Sequence, residues 1–471
     1  MKKYLIIINI VLQFFVCLVI NSINFTYDYF GDIKFEIVIF QIFTPLQGTS
    51  PEILKLFFIN VILKTILTII VINLTLFLFF LFIGKTLLDN VVPLKYINML
   101  KKIIAFGITY IIYFFAVFQF RDFGVFDYIH GLFTPTRIYE DEYIHPESVE
   151  ISFPDKKRNL LFIYLESMES SHAYDIEQEG GLIPNLYQLA QKNISFSHNE
   201  GFGGFTSYDA WTMGAILAST SGVNYKLPMP ASELSYISKY KYFLPGLVTL
   251  GDILEENGYH NVFMCGSDAS FGGRRTYFEQ HGNYEIFDYY TAIEMELISP
   301  DYFEFWGYED EKLYKFAKFK LTELAKEEKP FNFTMLTVDT HNPEGYLCKL
   351  CKNNYPEQYQ NVISCSDEQI ATFVDWIQMQ DWFEETTVVI VGDHLFSYAN
   401  NVDTMSANKE SRAYNCFINA DINTQDIQTK NRICSVYDLF PTTLSAMGIS
   451  IDGERLGLGT NLFSSLPTLE E

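Results

Sequence analysis

TTVVIVGDH, from Thr386 to His394, runs a block of apolar and β-branched residues straight into two adjacent ionisable side chains. A short, continuous apolar run of this kind suits a strand buried on both faces of a parallel sheet. Two more runs share the pattern. NLLFIYLES, from Asn159, reaches Glu166, and FNFTMLTVDTH, from Phe331, reaches Asp339 and His341. Between them LVTLGDILEENGYH (247–260) and SDEQIATFVDWIQMQ (366–380) carry helical spacing. The alternation predicts an α/β sandwich, in which ligands bind beyond the carboxyl ends of the strands. A single strand-end carboxylate is ordinarily a helix cap or a solvated turn. Three buried strands that all end in Asp, Glu or His form a candidate ligand set. Their carboxylate oxygens and imidazole nitrogens suit a divalent cation, with Mn²⁺ expected and Zn²⁺ or Mg²⁺ as alternatives.

The first quarter of the chain has a different character. YLIIINIVLQFFVCLVI (4–20), LFFINVILKTILTIIVINLTLFLFFLFIG (56–84) and IIAFGITYIIYFFAVFQF (103–120) are apolar over lengths near the roughly 20 residues a bilayer requires. FEIVIFQIF (35–43) is too short to span and reads as interfacial or re-entrant. A cleaved signal peptide is the rival reading of the first stretch, but no small-residue cleavage pattern follows it. Lys2 and Lys3 precede the first span, and Lys85, Lys95, Lys101 and Lys102 lie between the second and third. Positive-inside counting therefore puts the N-terminus in the cytoplasm and everything after Phe120 outside. Three parts are expected: a membrane domain at 1–120, a linker at 121–158 rich in acidic, aromatic and Pro residues, and a catalytic domain at 159–471.

Of 33 basic and 57 acidic residues, nine and five precede Phe120, which leaves 24 and 52 in the outer part. An excess that acidic excludes nucleic acid as a partner, because phosphate counterions are displaced by Lys and Arg. Six of the seven cysteines also lie there. Cys348-x-x-Cys351 followed by Cys365 begins a zinc pattern, yet no fourth ligand stands at a suitable spacing. Outside the cytoplasm disulfides are the expectation, with Cys351–Cys365 the first pairing.

A nucleophile is sought in GFGGFTSYDAWTMGAILASTSGV (201–223), a glycine-rich loop followed by a small-residue helix starting near Thr212. Thr206 and Thr212 both qualify, since metal coordination lowers the pKa of a hydroxyl enough to make it attack. Exposed N–H groups at a helix start also favour an anion. The plainer reading of either threonine is a helix cap. GSDASFGGRRTYFEQHG (266–282) places Arg274 and Arg275 after two glycines, where an Arg can hold a phosphate oxygen through paired hydrogen bonds or simply form a surface ion pair.

Taken in order, Glu166, the Gly-Thr loop, SDASFGGR, LTVDTHNPEGY, CSDEQIATFVDWI, VVIVGDHL and RLGLGTNLF (455–463) resemble the alkaline-phosphatase/sulfatase-like superfamily. Within it the pattern is most similar to membrane-anchored phosphoglycerol transferases of osmoregulated periplasmic glucans. Lipoteichoic acid synthases and lipid A phosphoethanolamine transferases are more distant relatives. The resemblance covers about Asn159 to Phe463. It implies a metal held by Glu166, the nucleophilic threonine, Asp393 and His394. It further implies that His341 protonates the leaving alkoxide, that Arg274 contacts phosphate, and that Asp268 lies near the glycerol hydroxyls. Thr206-Ser207 resembles the lipoteichoic acid synthases. Thr212 stands nine residues before Ser221-Gly222, as the nucleophile does in sulfatases, and is favoured. The implied reaction moves phosphoglycerol from phosphatidylglycerol in the lipid bilayer to a glycan acceptor, through a phosphoglyceryl-threonine intermediate. Phosphoethanolamine transfer, or a non-catalytic receptor with a degenerate site, are the alternatives. The formylglycine precursor motif of sulfatases is absent.

Overall fold

Long apolar runs become helices where a membrane-like environment offers the backbone no other hydrogen-bond partner. The computed structural model describes residues 3–30, 35, 38–39, 51–83, 94–134, 136–174, 176–208, 211–224, 243–342, 344–396, 411–423 and 427–471. The chain divides into two units, 1–38 with 49–133 and 39–48 with 134–471. The first contains α1 (Lys3–Phe30), α2 (Pro51–Phe57), a π-helical turn (Phe58–Leu63), α3 (Lys64–Ile83), α4 (Leu94–Asp122) and α5 (Val125–Phe133). Among the described residues three helical stretches, Tyr4–Phe30, Ile53–Phe82 and Lys102–Asp122, are long and apolar enough to cross a membrane. Polar side chains within this unit pair between helices. Gln13 Nε2 donates to Thr109 Oγ1 at 3.0 Å, Asn73 Nδ2 to Gln13 Oε1 at 2.7 Å, and Asn21 Nδ2 to Thr65 Oγ1 at 2.9 Å. Amide and hydroxyl contacts of this type join helices where lipid supplies no partner. Most of the Phe35–Phe43 segment lies outside the described residues, as do Lys2 and Lys85.

In the second unit one sheet organises everything else. Its strands are β1 (Asn159–Leu165), β2 (His260–Cys265), β3 (Glu285–Phe287), β4 (Phe331–Leu336), β5 (Thr386–Gly392) and β6 (Asn415–Ile418). They lie in the order β3-β2-β4-β1-β5-β6, all parallel except the antiparallel edge strand β6. Alternate side chains point to opposite faces. Leu161, Ile163 and Leu165 join one core cluster with Leu186 of α6 (Pro184–Lys192). That cluster also takes in Leu313 of the helix Asp310–Leu324 and Phe373 of the helix Gln358–Gln378. On the other face Tyr164 Oη shares a 2.7 Å hydrogen bond with Ser219 of α7 (Thr212–Ser221). Both faces are covered, which is why the strand sequences are apolar throughout.

The three strands expected from apolar runs are present, and β2, β3 and β6 add to them. Between residues 121 and 158, α4 and α5 belong to the first unit, whereas Ile144 bridges to Gly457 and Ile151 pairs with Ile451 in the second. The disulfide expectation is corrected: all seven cysteines are free thiols. Cys348 Sγ lies 3.6 Å from Cys351 Sγ and 3.8 Å from Cys365 Sγ, so three sulfurs crowd one place and none is at bonding distance.

Candidate metal centre

Register brings the strand ends together. β1 is central, with Tyr164 opposite Leu336 of β4 and Leu165 opposite Gly392 of β5. The residues just beyond these positions therefore share one sheet edge. Donor atoms of Glu166, Asp393 and His394 all lie within 4.8 Å of one another, and all three residues are buried. His394 Nε2 stands 3.5 Å from Glu166 Oε1 and 3.4 Å from Asp393 Oδ2. The other ring nitrogen, Nδ1, contacts Leu395 O at 2.9 Å. Donation there leaves Nε2 facing the carboxylates, able to carry a proton beside them or to offer its lone pair to a cation.

Asp393 divides its two oxygens. Oδ1 accepts from the backbone N–H of Ser167 and of His394, both at 2.8 Å. Oδ2 is buried and has no hydrogen-bond partner among the described residues. Burial, with the Glu166 charge beside it, pushes the Asp393 carboxyl up to about 7. Glu166 is also buried, which raises its pKa. The positive influence of His394 and His341, with hydrogen bonds from Ser167 and Thr212, outweighs that and holds the carboxyl below its usual value. Two buried carboxylates, an imidazole lone pair and an orphaned oxygen all aimed at one point fit a divalent cation.

Thr212 is the first residue of α7, and Oγ1 donates to Glu166 Oε2 at 3.2 Å. Trp211 precedes it and makes no side-chain cap hydrogen bond, and N–H groups at a helix start favour an anion. Thr206 sits differently. Its Oγ1 accepts from Arg412 Nη1 at 2.5 Å, and its backbone is tied to Cys434 O and Val436 N. Of the two threonines, Thr212 is the one whose hydroxyl reaches the carboxylate–imidazole cluster.

Arg274 opens α8 (Arg274–Gln280) and is buried. It donates to Phe271 O, Ser267 Oγ and Asp268 O, each at 3.0 Å. Asp268 accepts from Ser270 N through Oδ1, while buried Oδ2 has no partner among the described residues. A line of rings joins this loop to His341: Arg274 lies 5.8 Å over Phe271, Phe271 lies 5.1 Å from Trp306, and Trp306 lies 4.9 Å from the His341 ring. Sequence reasoning missed Ser167, Thr340 and Trp306. Ser167 has a left-handed φ of 52° and donates Oγ to Glu166 Oε1 at 2.9 Å. Thr340 Oγ1 donates to Glu166 O at 2.5 Å. The available signal was that Ser167 directly follows Glu166 and Thr340 directly precedes His341; Trp306 carried none.

The Sulfatase family profile matches residues 158–449, more than half the chain. Over 270 residues the chain is 33% identical to phosphoglycerol transferase I of Escherichia coli O127:H6, a match covering 55% of this chain and 34% of that protein. The match thus spans about a third of that relative's length. Among solved structures, the lipoteichoic acid synthase LtaP from Listeria monocytogenes superposes with a TM-score of 0.50 at 18% identity, over 67% of this chain and 79% of that one. The integral membrane lipooligosaccharide phosphoethanolamine transferase A from Neisseria meningitidis gives a TM-score of 0.50 at 14% identity, over 94% and 84%. At these identities the structures establish the fold, an α/β sulfatase-like domain.

Proposed function

This chain belongs to the sulfatase family, and from that membership and the site's geometry we propose that it is a membrane-anchored phosphoglycerol transferase. It moves phosphoglycerol from phosphatidylglycerol to a periplasmic or cell-surface glycan, with the catalytic domain on the outer side of the cytoplasmic membrane. The observation that carries this reading is the Thr212 hydroxyl, 3.2 Å from Glu166 inside the cluster with Asp393 and His394.

Glu166, Thr212, Asp393 and His394 would hold a divalent cation, and Mn²⁺ suits their oxygen-rich set, with Zn²⁺ and Mg²⁺ as alternatives. When bound, such an ion supplies Lewis-acid charge beside the phosphoryl group and eases ionisation of a hydroxyl. The chain's own residues do the rest. Thr212 Oγ1 directs its proton to Glu166 Oε2 and forms the ester bond to phosphorus, while the bond from phosphorus to the diacylglycerol oxygen breaks. His341 gives a proton to that leaving oxygen. The first N–H groups of α7 and the Arg274 guanidinium receive the phosphoryl charge, and Asp268 Oδ2 accepts from a glycerol hydroxyl. In the second half a glycan hydroxyl yields its proton to His341 and bonds to phosphorus, while the bond from phosphorus to Thr212 Oγ1 breaks and Glu166 Oε2 returns its proton to that oxygen. Two easier displacements replace one hard one.

Incubation of the full chain with headgroup-labelled phosphatidylglycerol is expected to label wild-type protein and Thr206→Ala, and to leave Thr212→Ala unlabelled. An adduct on Thr212→Ala would remove the proposed nucleophile. Labelling from phosphatidylethanolamine alone would replace the donor.

A further inference from the structure

Away from Glu166, a second group of ligand-type side chains meets on the loop that follows β4. Cys348 and Cys351 belong to that loop, seven and ten positions after His341, and Cys365 lies in α9, the helix Gln358–Gln378. The three sulfurs all lie within 4.8 Å of one another, with Cys348 Sγ 3.6 Å from Cys351 and 3.8 Å from Cys365. Zinc–sulfur bonds of about 2.3 Å set tetrahedrally arranged sulfurs about 3.8 Å apart. The two distances from Cys348 Sγ match the edge of that tetrahedron.

A fourth corner is also furnished. The Gln369 amide, one turn along α9, places Nε2 3.5 Å from Cys365 Sγ and 3.8 Å from Cys348 Sγ, while buried Oε1 has no partner among the described residues. Turning the amide over exchanges the two atoms. It brings the orphaned oxygen to the place where a fourth ligand belongs. Cys348 and Cys365 are 6% and 5% exposed, so water does not compete freely for them.

We propose that Cys348, Cys351 and Cys365, completed by Gln369, form a thiolate site for a borderline-soft divalent cation such as Zn²⁺, distinct from the Glu166–Asp393–His394 centre. Three sulfurs discriminate against Mn²⁺ and Mg²⁺, which prefer oxygen. Binding displaces the three thiol protons and clips the loop bearing His341 to α9. The site stands independently of the transfer reaction.

The test uses the full chain in detergent, purified without reductant, stripped of metal and reloaded with Co²⁺. Thiolate ligands give near-ultraviolet sulfur-to-cobalt absorption that an oxygen and nitrogen centre cannot produce. Wild-type protein is expected to show it, Glu166→Gln to keep it, and Cys365→Ser to lose it. Because Cys365→Ser also disturbs a packed helix, an organomercurial is titrated into wild-type protein in parallel, where modification of the three thiols should release bound cobalt and abolish the absorption. Wild-type protein lacking the absorption, with the thiols either freely reactive or partly consumed in a disulfide by intact mass, would overturn the proposal.

Discussion

One oxygen of Asp393 is held by two backbone N–H groups and the other faces His394 with no partner of its own. Asparagine at this position keeps the shape and the acceptor but removes the charge. Asp393→Asn is therefore expected to fold and to lose divalent-metal affinity by on the order of 100-fold or more, measured by calorimetric titration. Ser167→Ala removes only the hydroxyl that steadies Glu166 Oε1, and a loss on the order of tenfold is expected. Equal affinities for Ser167→Ala and wild type would show that Glu166 needs no such support. These two residues also mark what could be read in advance. Asp393-His394 was legible because it terminates an unbroken apolar run. Ser167 was not, because its role depends on a left-handed backbone turn that turns its N–H to Asp393 and its hydroxyl to Glu166, and serine carries no bias toward that conformation.

At the scale of elements, the site exists because β1, β4 and β5 end in register, and Gly392 is where that register is most tightly constrained. A Cβ on Gly392 would fall 1.8 Å from Met168 O and 3.1 Å from Tyr414 N, both backbone atoms that cannot rotate away. Gly392→Ala must push β5 off its neighbours immediately before Asp393. The expected cost is about 1–3 kcal/mol of stability, as for overpacking elsewhere, together with impaired metal binding. Urea midpoints and the same metal titration check both, and a variant matching wild type in each would show that the strand end tolerates displacement. The three continuous apolar strands were legible because burial on both faces leaves no polar alternation. β2 was hidden because helical spacing was read from Leu247 through His260. The helix stops at Glu256, the chain turns at Gly258 with φ 84°, and His260 already begins the strand. β3 and β6 are three and four residues long, too short for a pattern to repeat.

For the molecule as a whole, the net charge of −24 and the buried carboxyls act in one direction. Burial pushes Asp310 and Asp438 up to about 7 and Asp367 up to about 6, and it raises Asp339 well above the carboxylate range. Backbone N–H groups oppose this without cancelling it: Asp310 accepts from Val338 and Asp339, and Asp438 from Ser435 and Thr460. An unfolded Asp titrates near 3.9. Between that value and the raised folded values the native state binds more protons than the unfolded chain. Stability contributed by these groups is thus fully present below about pH 4 and is lost as pH rises through about 7. Repulsion within an acidic domain increases over the same range. Glu166, Glu309 and Asp301, held low, are the opposing cases, because their contributions are lost as pH falls. Five raised carboxyls, Asp393 among them, against these three decide the sign. In the presence of chelator and at fixed ionic strength, the urea midpoint of the full chain is expected to fall from about pH 4.5 to about pH 7.5. Asp438→Asn should flatten that decline, because an amide at this position has no proton to lose. A midpoint that climbs across the interval would mean that these carboxyls are ionised in the native fold at low pH. In that case their backbone N–H partners, rather than desolvation, would set the charge state of the protein's interior.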